Sequence, residues 1–333
     1  MTPNTNDART NRRRVTLIYR KRCEPNRPAH TRHFMTLKQL EAFYWAATLN
    51  SFSAASGRLN VTQSTLSKRV AELESSLGVS LFARSANRTI LTEHGQLVLA
   101  KAQQMLVMEA DIKSLHGGPQ PLRGTCRFGI SELTALTWFP KFVSRINELH
   151  PQLLLEPYVD LGSALEKKLM RGEIDFAILP KTSSGNTMLS TVALATLDFA
   201  WMASPQRIAA KDELTIQEIE QHPIIVMTSE SRLTESFQQW SSQHNVTVRR
   251  VLACNSLSAI VGLTVADVGI SFLPRRFLEP MVQQGKLSAF QSNPALPAIE
   301  YCFRWRADDT RTLGPTLAQL ALEEVDYSLT YGF

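Results

Sequence analysis

Gln63, Ser64, Ser67, Lys68 and Arg69 lie close together behind Thr62, a residue able to cap the first turn of a helix. At about 3.6 residues per turn, Leu66, Val70, Leu73 and Leu77 then form one apolar stripe and leave the polar residues outside. Amide, ammonium and guanidinium groups on such a face can read base edges in a major groove and hold phosphates. Small amphipathic helices with polar outer faces also occur in proteins that never meet nucleic acid, so the neighbouring elements must decide.

Those elements are the ones a reading helix needs. Thr36 can cap a helix over Leu37–Thr48 with Leu37, Leu40, Ala42, Phe43, Ala46 and Ala47 at helical spacing, and Phe52 can plug the core before a short helix carrying Ala54, Ala55 and Leu59. Gly78 can close the reading helix. Beyond it, VSLFARSANRTILT reads as a hairpin, anchored by Leu81, Phe82, Ile90 and Leu91, with Arg84 and Arg88 at its tip. A cationic tip is either a solvated loop or, beside a reading helix, a wing that touches phosphate or the minor groove. Thr92 can cap a long helix from Glu93 to Leu115, stopped by Gly117-Gly118-Pro119. Val98, Lys101, Met105, Met108, Ile112 and Leu115 give it a short coiled-coil seam, and at roughly 1.5 Å per residue it spans about 35 Å. It either pairs with a second copy or packs on its own domain.

Residues 35–118 resemble the winged helix-turn-helix and linker helix of LysR-type transcriptional regulators. The resemblance is carried by LKQLEAFYWAA at Leu37–Ala47, SFSAASGRLNVTQSTLSKRVAELESSLGVSLFAR at Ser51–Arg84 and LTEHG at Leu91–Gly95. It implies DNA-contacting roles for Gln63, Ser64, Ser67, Lys68, Arg84 and Arg88. Lys68 stands where many members carry Arg, which puts bidentate guanine reading there in doubt.

From Thr125 the pattern turns to alternating strands and helices. Cys126–Ser131, Leu153–Val159 and Phe176–Pro180 read as strands, with helices at Leu133–Leu149 and Ser163–Arg171. Phe199–Ala203, Pro223–Met227, Thr247–Ala253 and Gly269–Pro274 make a second set of strands, with helices at Leu233–Ser242 and Ser256–Val265, and Ile299–Trp305 with Arg311–Leu329 returns to the first. Such alternation implies parallel pairing. With what the resemblance to the LysR type implies, the fold expected is α/β: an N-terminal winged helix-turn-helix plus linker helix, then a two-subdomain periplasmic-binding-protein-like effector domain. Its divisions are a basic extension at 1–34, the winged helix-turn-helix at 35–92, the linker and dimerisation helix at 93–118 and the effector domain at 119–329. The last splits into subdomain I, 123–196 and 297–329, and subdomain II, 197–296. GEIDFAILP and VADVGISFLP carry the resemblance in this half.

Ligands of such folds sit at strand ends and helix starts, where unpaired N–H groups favour anions. Ser131 with Leu133 and Thr134, Ser163, and Asn255 with Ser256 occupy three such turns, each also readable as a plain helix cap. The resemblance implies that they line an effector cleft, with Met202, Met227 and Phe272 in its apolar wall. A small carboxylate suits those turns, opposed by Glu132 if that side chain points inward.

Charge is unevenly placed along the 333 residues: nine Lys/Arg against two acids in 1–35, eight against six in 36–118 and nineteen against twenty-two in 119–333. The leader, with Arg12-Arg13-Arg14 and Arg20-Lys21-Arg22, lacks apolar periodicity and is expected to be disordered. Met35 is the expected true start; a transit peptide and an extra phosphate-binding arm are the alternatives. No apolar run is long enough to span a membrane. Cys23, Cys126, Cys254 and Cys302 form no Cys-x-x-Cys pair, which points to buried or incidental thiols. No Gly-x-Ser-x-Gly, Gly-rich phosphate loop or His-Glu-x-x-His occurs, so no enzyme activity, cofactor or metal is expected. The partners expected are a dyad-symmetric double-stranded operator, a small-molecule effector and further copies of the chain as homodimer or homotetramer. The cytoplasm is the expected place, with the nucleoid when bound to DNA.

Overall fold

A computed structural model describes residues 34–83, 89–114, 121–181, 187–208, 211–247 and 249–329. The basic leader and the wing tip with Arg84 and Arg88 lie outside them, as does Leu115.

Helix α1, Leu37–Thr48, opens on a capping box: Thr36 Oγ1 accepts from the Gln39 N–H at 3.3 Å, and Gln39 Oε1 accepts from the Thr36 N–H at 2.9 Å. α2 is Phe52–Arg58, capped by Ser51, and α3 is Gln63–Leu77, capped by Thr62 and closed by Gly78 at φ 70°. Each such cap contributes about 1 kcal/mol. Leu66, Val70 and Leu73 meet Leu40, Phe43 and Ala46 of α1 in a small apolar core, whereas Leu77, expected to complete the stripe, is 38% exposed. The stripe turns out of the core at the helix end, where Gly78 redirects the chain.

Behind α3 the wing forms through a bridge between Phe82 and Leu91. Leu81 is buried and Phe82 rests on the Phe43 and Phe52 rings, but the Ile90 side chain is about half exposed, and Ile90 holds the wing through its carbonyl, which accepts from the Ala83 N–H at 2.7 Å. α4, Glu93–Ser114, follows. A Cβ at Gly95 would collide with the Leu81 carbonyl, so the helix can start against the wing strand only with glycine there.

The second half follows as β1 Arg123–Ile130, α5 Glu132–Leu136, α6 Phe139–Leu149, β2 Gln152–Val159, α7 Gly162–Met170, β3 Phe176–Pro180 and β4 Leu189–Leu197. Then come β5 Phe199–Ala203, β6 Glu213–Thr215, α8 Ile216–Gln221, β7 Ile224–Met227, α9 Arg232–Gln243, β8 Arg250–Cys254, α10 Leu257–Val265, β9 Ser271–Pro274 and α11 Arg275–Gln283. β10 Ser288–Asn293, β11 Ile299–Arg306 and α12 Leu313–Glu324 complete it.

Five strands form a sheet in the order β2-β1-β3-β11-β4, four form another in the order β6-β10-β5-β9, and β7 pairs with β8. β1 is parallel to β2 and β3, and β7 to β8, as strand-helix-strand alternation requires. β11 runs antiparallel to β3 and β4, and β5 antiparallel to β9 and β10, against that expectation. β11 is the strand on which the chain returns from the four-stranded sheet to the five-stranded one. The helix expected over Leu133–Leu149 is two, because Thr137 has φ −113° and ψ −112° and Pro140 restarts the helix at its N-terminus. Asp198 alone joins β4 to β5 across the two sheets, and residues 294–298 carry the chain back.

Candidate functional site

The polar face expected to meet DNA is presented by α3. Gln63, Ser64, Ser67 and Lys68 are exposed, and Arg69 is half-buried. Thr62 Oγ1 lies 2.9 Å from Ser64 Oγ and 2.8 Å from Thr65 Oγ1, which stiffens the first turn. The Lys68 side chain is 78% exposed and only 4.0 Å from Glu72, so its ammonium is loosely held and can turn to a phosphate. The wing is tied to this helix by a residue the sequence did not single out: Glu74 accepts from the Leu81 N–H at 2.6 Å and the Phe82 N–H at 3.2 Å.

α4 settles on its own domain along one side and leaves the other open. Ala102 and Leu106 are buried and Val98 packs beside them, whereas Leu97, Met105, Met108 and Ile112 face outward. The outward seam therefore begins at Leu97 rather than Val98, because Val98 is drawn into the apolar core of α1 and α3.

A second unforeseen residue joins the head to the effector half. Arg58, its side chain 1% exposed, bonds Asp175 at 3.2 Å and also Asp309, while Arg311 bonds both carboxylates. The Arg58 guanidinium stacks 4.0 Å above the Trp45 ring. Burial and the nearby Arg311 lower its pKa. Burial alone would raise the Asp309 carboxyl, but Arg311 and Arg58 outweigh it and hold the group below its ordinary value. Tyr44 OH donates to the Asp308 carbonyl, and Leu49 fits against Gly172, which has φ 67° and no room for a Cβ.

In the effector half a cavity of about 270 Å³ opens between the five-stranded sheet and the β7-β8 pair. One wall comes from Ser131–Leu133, residues 159–162, Pro180 and Tyr301, and the other from Met227, Ser231–Leu233 and Asn255–Leu257. Ser131, Leu133, Met227, Asn255 and Ser256 thus converge as the sequence suggested. Four other candidates do not line the cavity. Thr134 is fully buried, its hydroxyl 3.0 Å from Ser131 Oγ and 3.1 Å from Tyr327 OH. Ser163 is no cap: Leu161 is the N-cap of α7, and the Ser163 N–H donates to the Glu230 carbonyl at 3.4 Å. Met202, on β5 between β9 and β10, is fully buried inside its sheet. Phe272 is packed into an aromatic cluster, stacked on Phe237 at 4.7 Å and edge-on to Trp201. Both were placed in the wall by the family resemblance, whereas here they belong to the apolar core.

Two cross-links span the cavity. Glu132, which opens α5, accepts from Ser256 Oγ at 3.1 Å, the Leu257 N–H at 2.5 Å, the Ser258 N–H at 3.1 Å and Ser258 Oγ at 2.8 Å. Its carboxylate therefore sits on the N-terminus of α10. Arg232, at the start of α9, bonds Glu166 of α7 at 2.5 Å and Glu235 at 2.8 Å, and Arg304 of β11 shares Glu166 at 3.5 Å. Burial opposes the Arg232 charge, but Glu235 and Glu166 raise its pKa overall. Burial also raises the Tyr301 hydroxyl, with Tyr327 adding to it, so the cavity floor stays neutral.

Cys126 and Cys302 are buried, Cys254 is half-buried, and all three are unpaired. Burial, with Glu300, pushes the Cys302 thiol up to about 11. Among the described residues no group of three or more His, Cys, Asp or Glu could hold a metal, and no helix is long and apolar enough to cross a membrane.

A winged helix-turn-helix joined to a two-lobed α/β unit with a cavity between its lobes defines a ligand-responsive DNA-binding regulator. The model of the LysR substrate binding domain matches residues 119–324, and that of the bacterial regulatory helix-turn-helix protein, lysR family, matches residues 37–96. The chain belongs to the LysR-type transcriptional regulators, a family of DNA-binding, effector-responsive proteins rather than enzymes. A probable hydrogen peroxide-inducible genes activator of Mycobacterium xenopi is 35% identical over 173 residues, 51% of this chain and 90% of that protein. The HTH-type transcriptional regulator YusT of Bacillus subtilis is 25% identical over 270 residues, 81% of this chain and 89% of its own length. Full-length OxyR from Pseudomonas aeruginosa shares the fold, with a TM-score of 0.61 and 21% identity over 90% of this chain and 99% of that one.

Proposed function

We propose that residues 35–92 read a dyad-symmetric operator, residues 93–118 pair two or four copies of the chain, and residues 119–329 sense a small molecule in the cavity. Subdomain I, 123–196 with 297–329, and subdomain II, 197–296, are the two lobes. The observation that carries the sensing role is the cavity whose walls come from both lobes, so a ligand between them changes the free energy of closure. Ser131, Leu133, Met227, Asn255 and Ser256 are the effector contacts supported by their place in its wall. On DNA, Gln63, Ser64 and Ser67 face the bases and Lys68 a phosphate; Arg84 and Arg88 join them on the strength of the family resemblance. The outward Leu97, Met105, Met108 and Ile112 of α4 suit a seam between copies. The protein works in the cytoplasm, on the nucleoid when DNA-bound.

Gel-shift titration against the operator and mismatched duplexes tests the reading. Gln63→Ala should relax base discrimination by about 1–3 kcal/mol at the position it reads. Lys68→Ala should weaken all duplexes alike and reduce the salt slope by about one. Unchanged operator affinity in both variants refutes the assignment of α3 as the reading helix.

A further inference from the structure

We infer that the effector carries a positively charged nitrogen, an ammonium or guanidinium on a small apolar body, with Glu132 and Asp160 as its counter-charges. This rests on reading the cavity as the effector site. The cavity locates the site; the groups in its wall decide the sign of the charge it takes.

Among the described residues, only three acidic or basic side chains line the cavity: Glu132, Asp160 and Arg232. Arg232 offers no free positive charge, because its two terminal nitrogens are held by Glu166 and Glu235. With Arg304, which also leans on Glu166, the group is two guanidiniums against two carboxylates and sums to zero. Lys181, next to the lining Pro180, is matched by Glu300 at 2.6 Å. The two remaining carboxylates have no such match. Asp160 accepts only from the Leu161 N–H at 2.8 Å, and no cation pairs with it among the described residues. Glu132 has four donors, all of them neutral.

A small carboxylate, the class the strand-to-helix turns suggest from sequence, meets Glu132 where free amides were expected. The positive end of α10 is already occupied by an anion belonging to the chain. At the first turn, α5 has only five residues, and its capping Ser131 Oγ is engaged with Thr134. An entering anion would have to expel Glu132 and leave that carboxylate without donors between the lobes. An entering cation needs no exchange and supplies the charge the wall lacks. The rest of the lining, Leu133, Leu161, Met227, Leu233, Leu257 and Tyr301, is apolar body with a phenol and calls for hydrocarbon around the charged nitrogen.

The test uses the full-length protein and matched probes: small primary ammonium and guanidinium compounds, each set against the carboxylate of the same skeleton, such as phenethylammonium against 3-phenylpropionate. Melting temperature screens the panel, and calorimetric titration measures the binders. The expected result is that cations bind and their carboxylate partners do not. Glu132→Gln should then weaken the cation at least tenfold, and the exposed Asp160→Asn, which disturbs no packing, severalfold. Carboxylates that bind the native protein while matched cations fail overturn the charge assignment but leave the effector site standing. Cation binding unaffected by either variant also overturns it. Silence of every probe with the native protein and with both variants overturns the effector-site reading itself.

Discussion

Arg58→Ala tests the joint between the DNA-binding head and the effector half. In the native protein Arg58 and Arg311 face Asp175 and Asp309, and the buried group is electrically balanced. Deleting Arg58 leaves two carboxylates against one guanidinium, with the Asp309 side chain only 2% exposed and unable to recover hydration. Removing one partner of a buried pair costs about 3–5 kcal/mol. Arg311 remains bonded to both carboxylates, so the low end, about 3 kcal/mol, applies. At about 2–4 °C per kcal/mol for a unit of this size, the full-length protein should melt about 6–12 °C lower. Thermal unfolding by calorimetry measures it. Asp309→Asn removes the charge that Arg58 answers, so the double variant should be more stable than the sum of the single losses predicts, by at least about 1 kcal/mol. A melting point for Arg58→Ala within about 1 °C of the parent, or strict additivity in the cycle, refutes the reasoning.

Because Arg311 and Arg58 hold the Asp309 carboxyl below its ordinary value, its contribution to stability is complete above the ordinary Asp range, near about pH 4, and disappears as pH falls through the depressed native value. Asp309→Asn should therefore flatten the acid limb of an unfolding-versus-pH curve, and an unaltered limb would show that this carboxylate does not drive it. Glu74→Ala leaves the Leu81 and Phe82 N–H groups without their acceptor, for a loss of about 1–3 kcal/mol and weaker operator binding at unchanged helix content by circular dichroism. Met108→Glu puts a carboxylate on the outward face of α4, where Met108 is 63% exposed, and should shift light-scattering mass toward the monomer; an unmoved mass means that the seam lies elsewhere.

Local pattern and distant pairing were unequally legible in the sequence. The spacing of Leu66, Val70 and Leu73, the Thr62 cap and the Gly78 stop all act within one helix, and α3 lies where they place it. Asp175 and Asp309 lie 117 and 251 residues from Arg58, and nothing near Arg58 marks it as anything but a solvated helix end. β4 was overlooked because LSTVALATL is buried only at its two ends and mixes half-buried with exposed positions between them at a sheet edge, without the continuous apolar run of β3. In the cavity, the caps at Ser131 and Ser256 are local signals and were readable. Ser163 misled because a serine at the start of a helical pattern looks like a cap, while Leu161 takes that position. The inward direction of Glu132 depends on two lobes meeting, 124 residues apart in the chain.

Asp198, the lone residue between β4 and β5, decides what kind of motion one lobe can make against the other. A tether that short cannot lengthen, so sliding of the sheets past each other is blocked at that edge. Rotation about the tether is not, since two backbone dihedrals suffice to absorb it. The geometry at this joint thus permits a change of angle between β4 and β5 far more readily than a change of distance. The balanced charges around Arg58 bolt the head to the lobe built on β1, β3 and β11, on one side of that joint.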